Sequence, residues 1–185
     1  MRLGINTLFL IPGEVGGSET YFREVLLALL ALHPELEIVF FTNVENDAYL
    51  KDLVAGHPHA EFVPTGIRAM NRFERIIKEQ VNMPSLVRRA ATDLLWSPGY
   101  TCPVFCQCPQ VTTIHDMQYK RHTDDFTLPA LMAHAHSHWA FCASQHAPDC
   151  GVAFCCYRDK PFSKDHHGAY SRHTVSDGSL LFDAA

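Results

Sequence analysis

What the chain lacks bounds its function before any motif is read. No apolar run approaches the roughly 18 residues that a membrane span needs. The longest, Val25 to Leu32, covers eight positions and stops at His33-Pro34. An excess of positive charge is also missing. Lys and Arg number 15 against 20 Asp and Glu, a net charge of −5, so composition offers no electrostatic case for nucleic acid or an anionic membrane as partner. There is no Gly-Lys-Ser/Thr of a Walker A loop, no His-Glu-x-x-His and no Gly-x-Ser-x-Gly elbow. P-loop, zinc-hydrolase and α/β-hydrolase chemistry are therefore unsupported. Seven cysteines form an odd set without a regular framework, which predicts thiols in a reducing compartment. The start Met1-Arg2-Leu3-Gly4-Ile5 lacks the parts of a signal peptide, so cytoplasmic location is the default expectation.

What is present suits one folded domain. The chain has 185 residues, 47% of them apolar, which argues against a disordered protein. Its character changes near Thr127. Residues 128–185 contain no Glu, Ile or Asn, yet hold seven of the twelve histidines and four of the seven cysteines. Blocks such as His134-Ala135-His136-Ser137-His138 and Cys155-Cys156-Tyr157-Arg158 show no sustained strand or helix period. The domain reading is 1–127 as a Rossmann-like domain and 128–185 as an atypical, irregular His/Cys-rich tail. A metal-binding extension is one reading of that tail. A slipped reading frame translated to a chance stop is the other, and the one favoured.

Within 1–127, strands alternate with helices, which predicts βαβ units and a parallel sheet with helices on both faces. Arg2 to Leu10 reads as a buried strand, and Ser18 as the N-cap of a helix with Glu19 in its first turn. Tyr21, Phe22, Val25, Leu26, Leu29 and Leu32 recur at helical spacing and predict its sheet-facing side. Further strands are expected at Leu36–Thr42, Glu61–Pro64, Asp93–Trp96 and Val111–His115. A short helix is expected over Asn46–Ala55. A long helical pattern over Arg68–Ala91 should kink or divide at Pro84. Its basic residues Arg68, Arg72, Arg75, Lys78, Arg88 and Arg89 read as a solvated helix face rather than a binding patch.

Two strand ends carry candidate chemistry. Val111-Thr112-Thr113-Ile114 is a β-branched run that ends in His115-Asp116, the way a buried strand delivers a titratable pair to the carboxyl edge of an open sheet. His115 can act as acid or base, orient a sugar hydroxyl or donate to a phosphate. A structural histidine, with Asp116 capping the next turn, is the competing reading. Gly13-Glu14-Val15-Gly16-Gly17-Ser18 lets backbone amides approach a ligand at a helix start, although a plain tight turn explains it as well. Ser97-Pro98-Gly99-Tyr100 follows another strand and belongs to the same edge; turn formation alone accounts for it. Cys102, Cys106 and Cys108 are spaced C-x₃-C-x-C, which is not a zinc-site spacing. No metal site is expected there or in the tail.

Four pieces, in order, carry a resemblance. They are the opening strand with Gly16-Gly17-Ser18-Glu19-Thr20-Tyr21, the segment Arg72-Phe73-Glu74-Arg75 with Glu79-Gln80, the block Asp93-Leu94-Leu95-Trp96-Ser97-Pro98-Gly99-Tyr100, and Thr112-Thr113-Ile114-His115-Asp116-Met117-Gln118-Tyr119. Residues 1–127 thereby resemble the acceptor-side, N-terminal domain of a retaining GT-B-type glycosyltransferase (glycosyltransferase family 4-like). The resemblance implies two Rossmann-like halves facing across a cleft. The reaction it implies is hexosyl transfer from a nucleotide-diphosphate sugar to a saccharide or lipid-linked acceptor. His115 and Asp116 match the catalytic positions. Gly16, Gly17 and Ser18, with Ser97, Gly99 and Tyr100, match the donor-diphosphate and acceptor side. No cofactor or metal is implied, because helix dipoles and basic side chains stabilise the leaving diphosphate.

The chain departs from that pattern beyond 127. The tail has no Glu, so it cannot hold the paired-glutamate motif of a donor-binding half, and it lacks the expected sixth strand. The chain is thus expected to be a truncated transferase half, inactive alone. The alternative is a non-catalytic saccharide- or nucleotide-binding module, or a subunit completed by a separate C-terminal half. A metal-binding protein using the His/Cys tail is a third reading.

Overall fold

The computed structural model describes residues 1–115 and the strand at 152–156. The elements run β1 (Arg2–Asn6), α1 (Gly17–Leu32), β2 (Glu37–Thr42), α2 (Asp47–Leu53), β3 (Ala60–Pro64), α3 (Arg72–Arg89), β4 (Leu94–Ser97), β5 (Gln110–Ile114) and β6 (Val152–Cys156). The sheet order is β3-β2-β1-β4-β5-β6, and every pairing is parallel. The order reverses between β1 and β4. This is the α/β, Rossmann-like arrangement that the alternating pattern predicts. In such sheets the crevice outside the carboxyl ends, at the reversal point, is where ligands bind.

The strands bury both faces because helices cover both. Side chains alternate across a strand, so β2 sends Ile38 and Phe40 one way and Val39 and Phe41 the other. Ile38 and Phe40 join Leu3, Ile5 and Trp96 under Phe22 and Leu26 of α1 and Leu50 of α2. Val39 and Phe41 join Leu95 under Met83 and Val87 of α3, with Cys106 and Cys108 closing the layer. Every strand therefore points its carboxyl end to one edge, while each helix begins at that edge and runs back. Among the described residues no helix is long and apolar enough to cross a membrane.

Several expectations are corrected. β1 stops at Asn6 instead of reaching Leu10. Beyond it the chain turns, with Leu10 N bonded to Thr7 O at 3.0 Å, and stays buried at Leu8 and Leu10. A buried loop needs partners for its carbonyls. Asn43 Nδ2 donates to Leu8 O at 3.1 Å and Leu10 O at 2.8 Å, and Asn46 Nδ2 donates to Thr7 O at 2.6 Å. Ser18 is not the N-cap of α1. Gly16 holds that place, with φ 60° and ψ −130°, a conformation that favours glycine. The Glu19 carboxylate reaches back to accept from Gly13 N at 2.7 Å, which fixes the loop from inside the helix. Val25 and Leu32 are exposed, so the buried stripe of α1 is narrower than its spacing suggested.

Pro84 neither divides α3 nor ends it, and one helix runs from Arg72 to Arg89. Met83 and Val87, buried on either side of the proline, anchor both turns against the sheet. The solvated-face reading fails at Arg75, which is buried on the inner side of α3. A sixth strand does exist. Val152–Cys156 pairs with β5 over Gln110–Ile114, within the segment whose pattern showed no strand period. The rest of the proposed tail, with its histidines, lies outside the described residues.

Candidate functional site

Of the strand ends on the carboxyl edge, three carry the candidate residues: Asn6 of β1, Ser97 of β4, and Ile114 of β5 with His115 just beyond it. Alternation decides which flank each side chain serves. Asn6 and Ser97 turn toward α3, while Trp96, Thr113 and His115 turn toward α1.

On the α1 flank, His115 Nε2 lies 2.9 Å from Pro98 O. A carbonyl only accepts, so Nε2–H donates to it; in the tautomer protonated at Nε2 alone, the lone pair lies on Nδ1. The imidazole sits edge-on to Tyr21 of α1, with centroids 5.0 Å apart, and tilted against Tyr100 at 5.1 Å. Thr113 Oγ1 ties this wall together. It accepts from Trp96 Nε1 at 3.3 Å and lies 3.4 Å from the Tyr21 hydroxyl. Gly17 begins α1 only four residues before Tyr21, about 6 Å along the helix axis. The Gly16–Gly17 bend therefore lies about one turn of α1 from Tyr21, whose ring meets His115. Gly16 and Gly17 are exposed, Ser18 lies partly exposed in the first turn of α1, and His115 is half-buried.

The block after β4 divides in its roles. Ser97 is fully buried, with its Oγ 3.4 Å from Asn6 Nδ2. Gly99 presses its backbone on Phe9, where an added Cβ would fall 2.1 Å from the ring. Tyr100 has φ 66°, unusual for an aromatic residue, and that turn places its ring beside His115. Asp116, expected beside His115, lies outside the described residues.

On the α3 flank is a buried polar cluster that sequence reasoning assigned no role. Glu79 is 0% exposed. Its Oε1 accepts from Asn6 Nδ2 at 2.7 Å and its Oε2 from Thr101 Oγ1 at 2.8 Å. One carboxylate therefore fastens α3 to the end of β1 and to the loop after β4. Gln80 adds two backbone bonds to the same loop, to Cys102 O and from Val104 N, each at 2.9 Å. The signal was present in the sequence. Arg75, Glu79, Met83 and Val87 recur every four residues, so the stripe that buries Met83 and Val87 must also bury two charged residues.

Cys102, Cys106 and Cys108 are all buried. The Cys106 and Cys108 sulfurs lie 3.7 Å apart. Hydrogen bonding from Cys106 brings the Cys108 thiol down to about 7 against the opposing effect of burial. Among the described residues no three His, Cys, Asp or Glu side chains gather in a metal-binding group. A depression of about 240 Å³, lined by Met1, Leu29, His33, Glu35 and Leu36, lies at the amino edge, away from the strand ends described here. No protein-family model matches the chain, and neither a curated protein nor a solved structure does.

Proposed function

We propose that this sheet edge is the acceptor-side face of a GT-B-type glycosyltransferase. The reaction would transfer a hexosyl unit from a nucleotide-diphosphate sugar to a saccharide or lipid-linked acceptor. The observation that carries the reading is the setting of His115, pinned through Nε2 to Pro98 O and walled by Tyr21 and Tyr100 beside the Gly16–Gly17 bend. Each part has a chemical use there. The Nδ1 lone pair accepts from a sugar hydroxyl and orients the ring that is transferred. The two tyrosine rings offer apolar faces to a sugar's C–H surface and exclude water. The amides of Gly17 and Ser18, at the positive end of α1, suit a diphosphate. Asp116 takes a supporting role next to His115.

Transfer in this reading needs a second Rossmann-like half to hold the nucleotide, which residues 1–115 do not supply. The described domain alone therefore binds and does not turn over. The reading keeps the expected cytoplasmic location and involves no nucleic acid.

Saturation-transfer NMR with UDP-glucose, GDP-mannose and a panel of disaccharides tests it. We expect contacts to sugar protons for the parent chain and their loss in His115→Ala. That variant should still fold, because His115 is half-buried and gives up one hydrogen bond, about 1 kcal/mol. Absence of contact with every sugar ligand, or equal contact in His115→Ala, would remove the basis for the reading.

A further inference from the structure

The α3 flank holds a charge that the sugar-transfer reading does not use. Arg75 is 9% exposed. Its Nε is buried with no hydrogen-bond acceptor. Its nearest countercharge is Glu79, one turn further along α3, but both Glu79 oxygens are engaged by Asn6 and Thr101. No carboxylate among the described residues lies within ion-pair distance of the guanidinium. Burial pushes its pKa down, Glu79 opposes that, and the nearby charge of Arg72 adds to it. Folded proteins seldom desolvate an arginine and leave it unmatched, because the attraction that offsets desolvation is then forgone.

Direction matters as much as burial. α3 begins at the carboxyl edge, as the crossover from β3 to β4 in a parallel sheet requires. Side chains on a helix lean toward its N-terminus. Arg75, in the first turns of α3, is therefore directed to the edge, above the Asn6–Glu79–Thr101 cluster. The helix dipole adds positive potential at the same end, and exposed Arg72 adds a second cation. Glu74, the acid of that first turn, is occupied by Lys78 and by the Asn71 cap. A guanidinium fork matches the paired oxygens of a phosphoryl group.

We propose that Arg75 anchors an oxyanion subsite for a phosphoryl group, on the α3 flank of the edge. It is separate from His115, which faces α1, and it stands whether or not the chain belongs to a sugar transferase.

The test follows the Arg75 side-chain Nε–H resonance in ¹⁵N-arginine-labelled full chain. Inorganic pyrophosphate, UDP-glucose and farnesyl phosphate are titrated in turn. A shift of the Arg75 signal with saturation by any one of them is expected, and which probe binds tightest separates a soluble diphosphate from a lipid-borne phosphate. Arg75→Lys keeps the charge and loses the fork, so affinity for that probe should fall about tenfold or more. Arg88→Met, at the far end of α3, should bind as the parent does. An Arg75 resonance unmoved by all three probes overturns the proposal. So does Arg75→Lys binding as tightly as the parent, or Arg88→Met losing as much affinity as Arg75→Lys.

Discussion

Replacing Glu79 tests whether the carboxyl edge is built around that one buried carboxylate. Glu79→Ala removes the acceptors of Asn6 Nδ2 and Thr101 Oγ1, both in buried residues. Each orphaned group costs about 1–3 kcal/mol. Asn6 retains only a long contact to Ser97 Oγ at 3.4 Å, which recovers little. The sum is about 4 kcal/mol, or roughly 8–16 °C of melting temperature for a chain of this size. Glu79→Gln behaves differently. Its carbonyl still accepts from Asn6, and its amide donates to Thr101 once that hydroxyl turns to accept. The attraction to Arg75 is lost, about 1–2 kcal/mol. Adding Arg75→Met to Glu79→Gln should return most of that loss, a coupling that a double-mutant cycle measures by urea denaturation. The reasoning fails if Glu79→Ala unfolds within about 1 kcal/mol of the parent, or if Glu79→Gln is as unstable as Glu79→Ala.

Further outcomes follow from other contacts. Gly99→Ala places a Cβ 2.1 Å from the Phe9 ring, so thermal melts should show a loss of about 3 kcal/mol, partly relieved by adding Phe9→Ala. Asn43→Ala takes the side-chain donor from Leu8 O and the acceptor from the Glu45 and Asn46 amides, while Leu10 O keeps Asn46 Nδ2 at 3.2 Å, and should cost about 2–4 kcal/mol; amide exchange in the β1–α1 loop should accelerate with it. The Cys108 thiol, lowered from 9.0 to about 7, should develop thiolate absorbance near 240 nm centred at that pH, and Cys108→Ser should abolish the step. Because the folded thiol ionises more readily than the unfolded one, its stabilising contribution is absent below pH 7 and complete above about 9. A fall in stability across that interval that is specific to Cys108 would contradict the assignment.

Patterns with one dominant cause were legible in the sequence. β2 and β5 are short runs rich in β-branched or aromatic residues, and that character located them within a residue or two. His115 at the end of such a run placed itself at the carboxyl edge. What escaped was decided by contacts distant in the chain. β1 appeared to continue to Leu10 because Leu8 and Leu10 are apolar, yet Asn43 and Asn46 take the place of a strand partner there. The cap of α1 moved to Gly16 because Glu19 folds back on Gly13. Arg75 looked like surface charge and Glu79 had no assigned role, because helix-period arguments weigh apolar residues, and only packing reveals that two charges share the buried stripe. β6 carried no period that distinguished it, and its pairing with β5 located it.

The central claim is that the His115 edge, and not the opposite one, is the ligand face. An amide ¹H–¹⁵N shift map of the intact chain during titration with UDP-glucose and GDP-mannose tests it most directly. Shifts should concentrate at Gly16–Gly17, Tyr21, Tyr100 and His115, with Arg2 and His33 at the amino edge unmoved. Shifts clustered around Met1, His33 and Leu36, or none up to about 10 mM ligand, would contradict it.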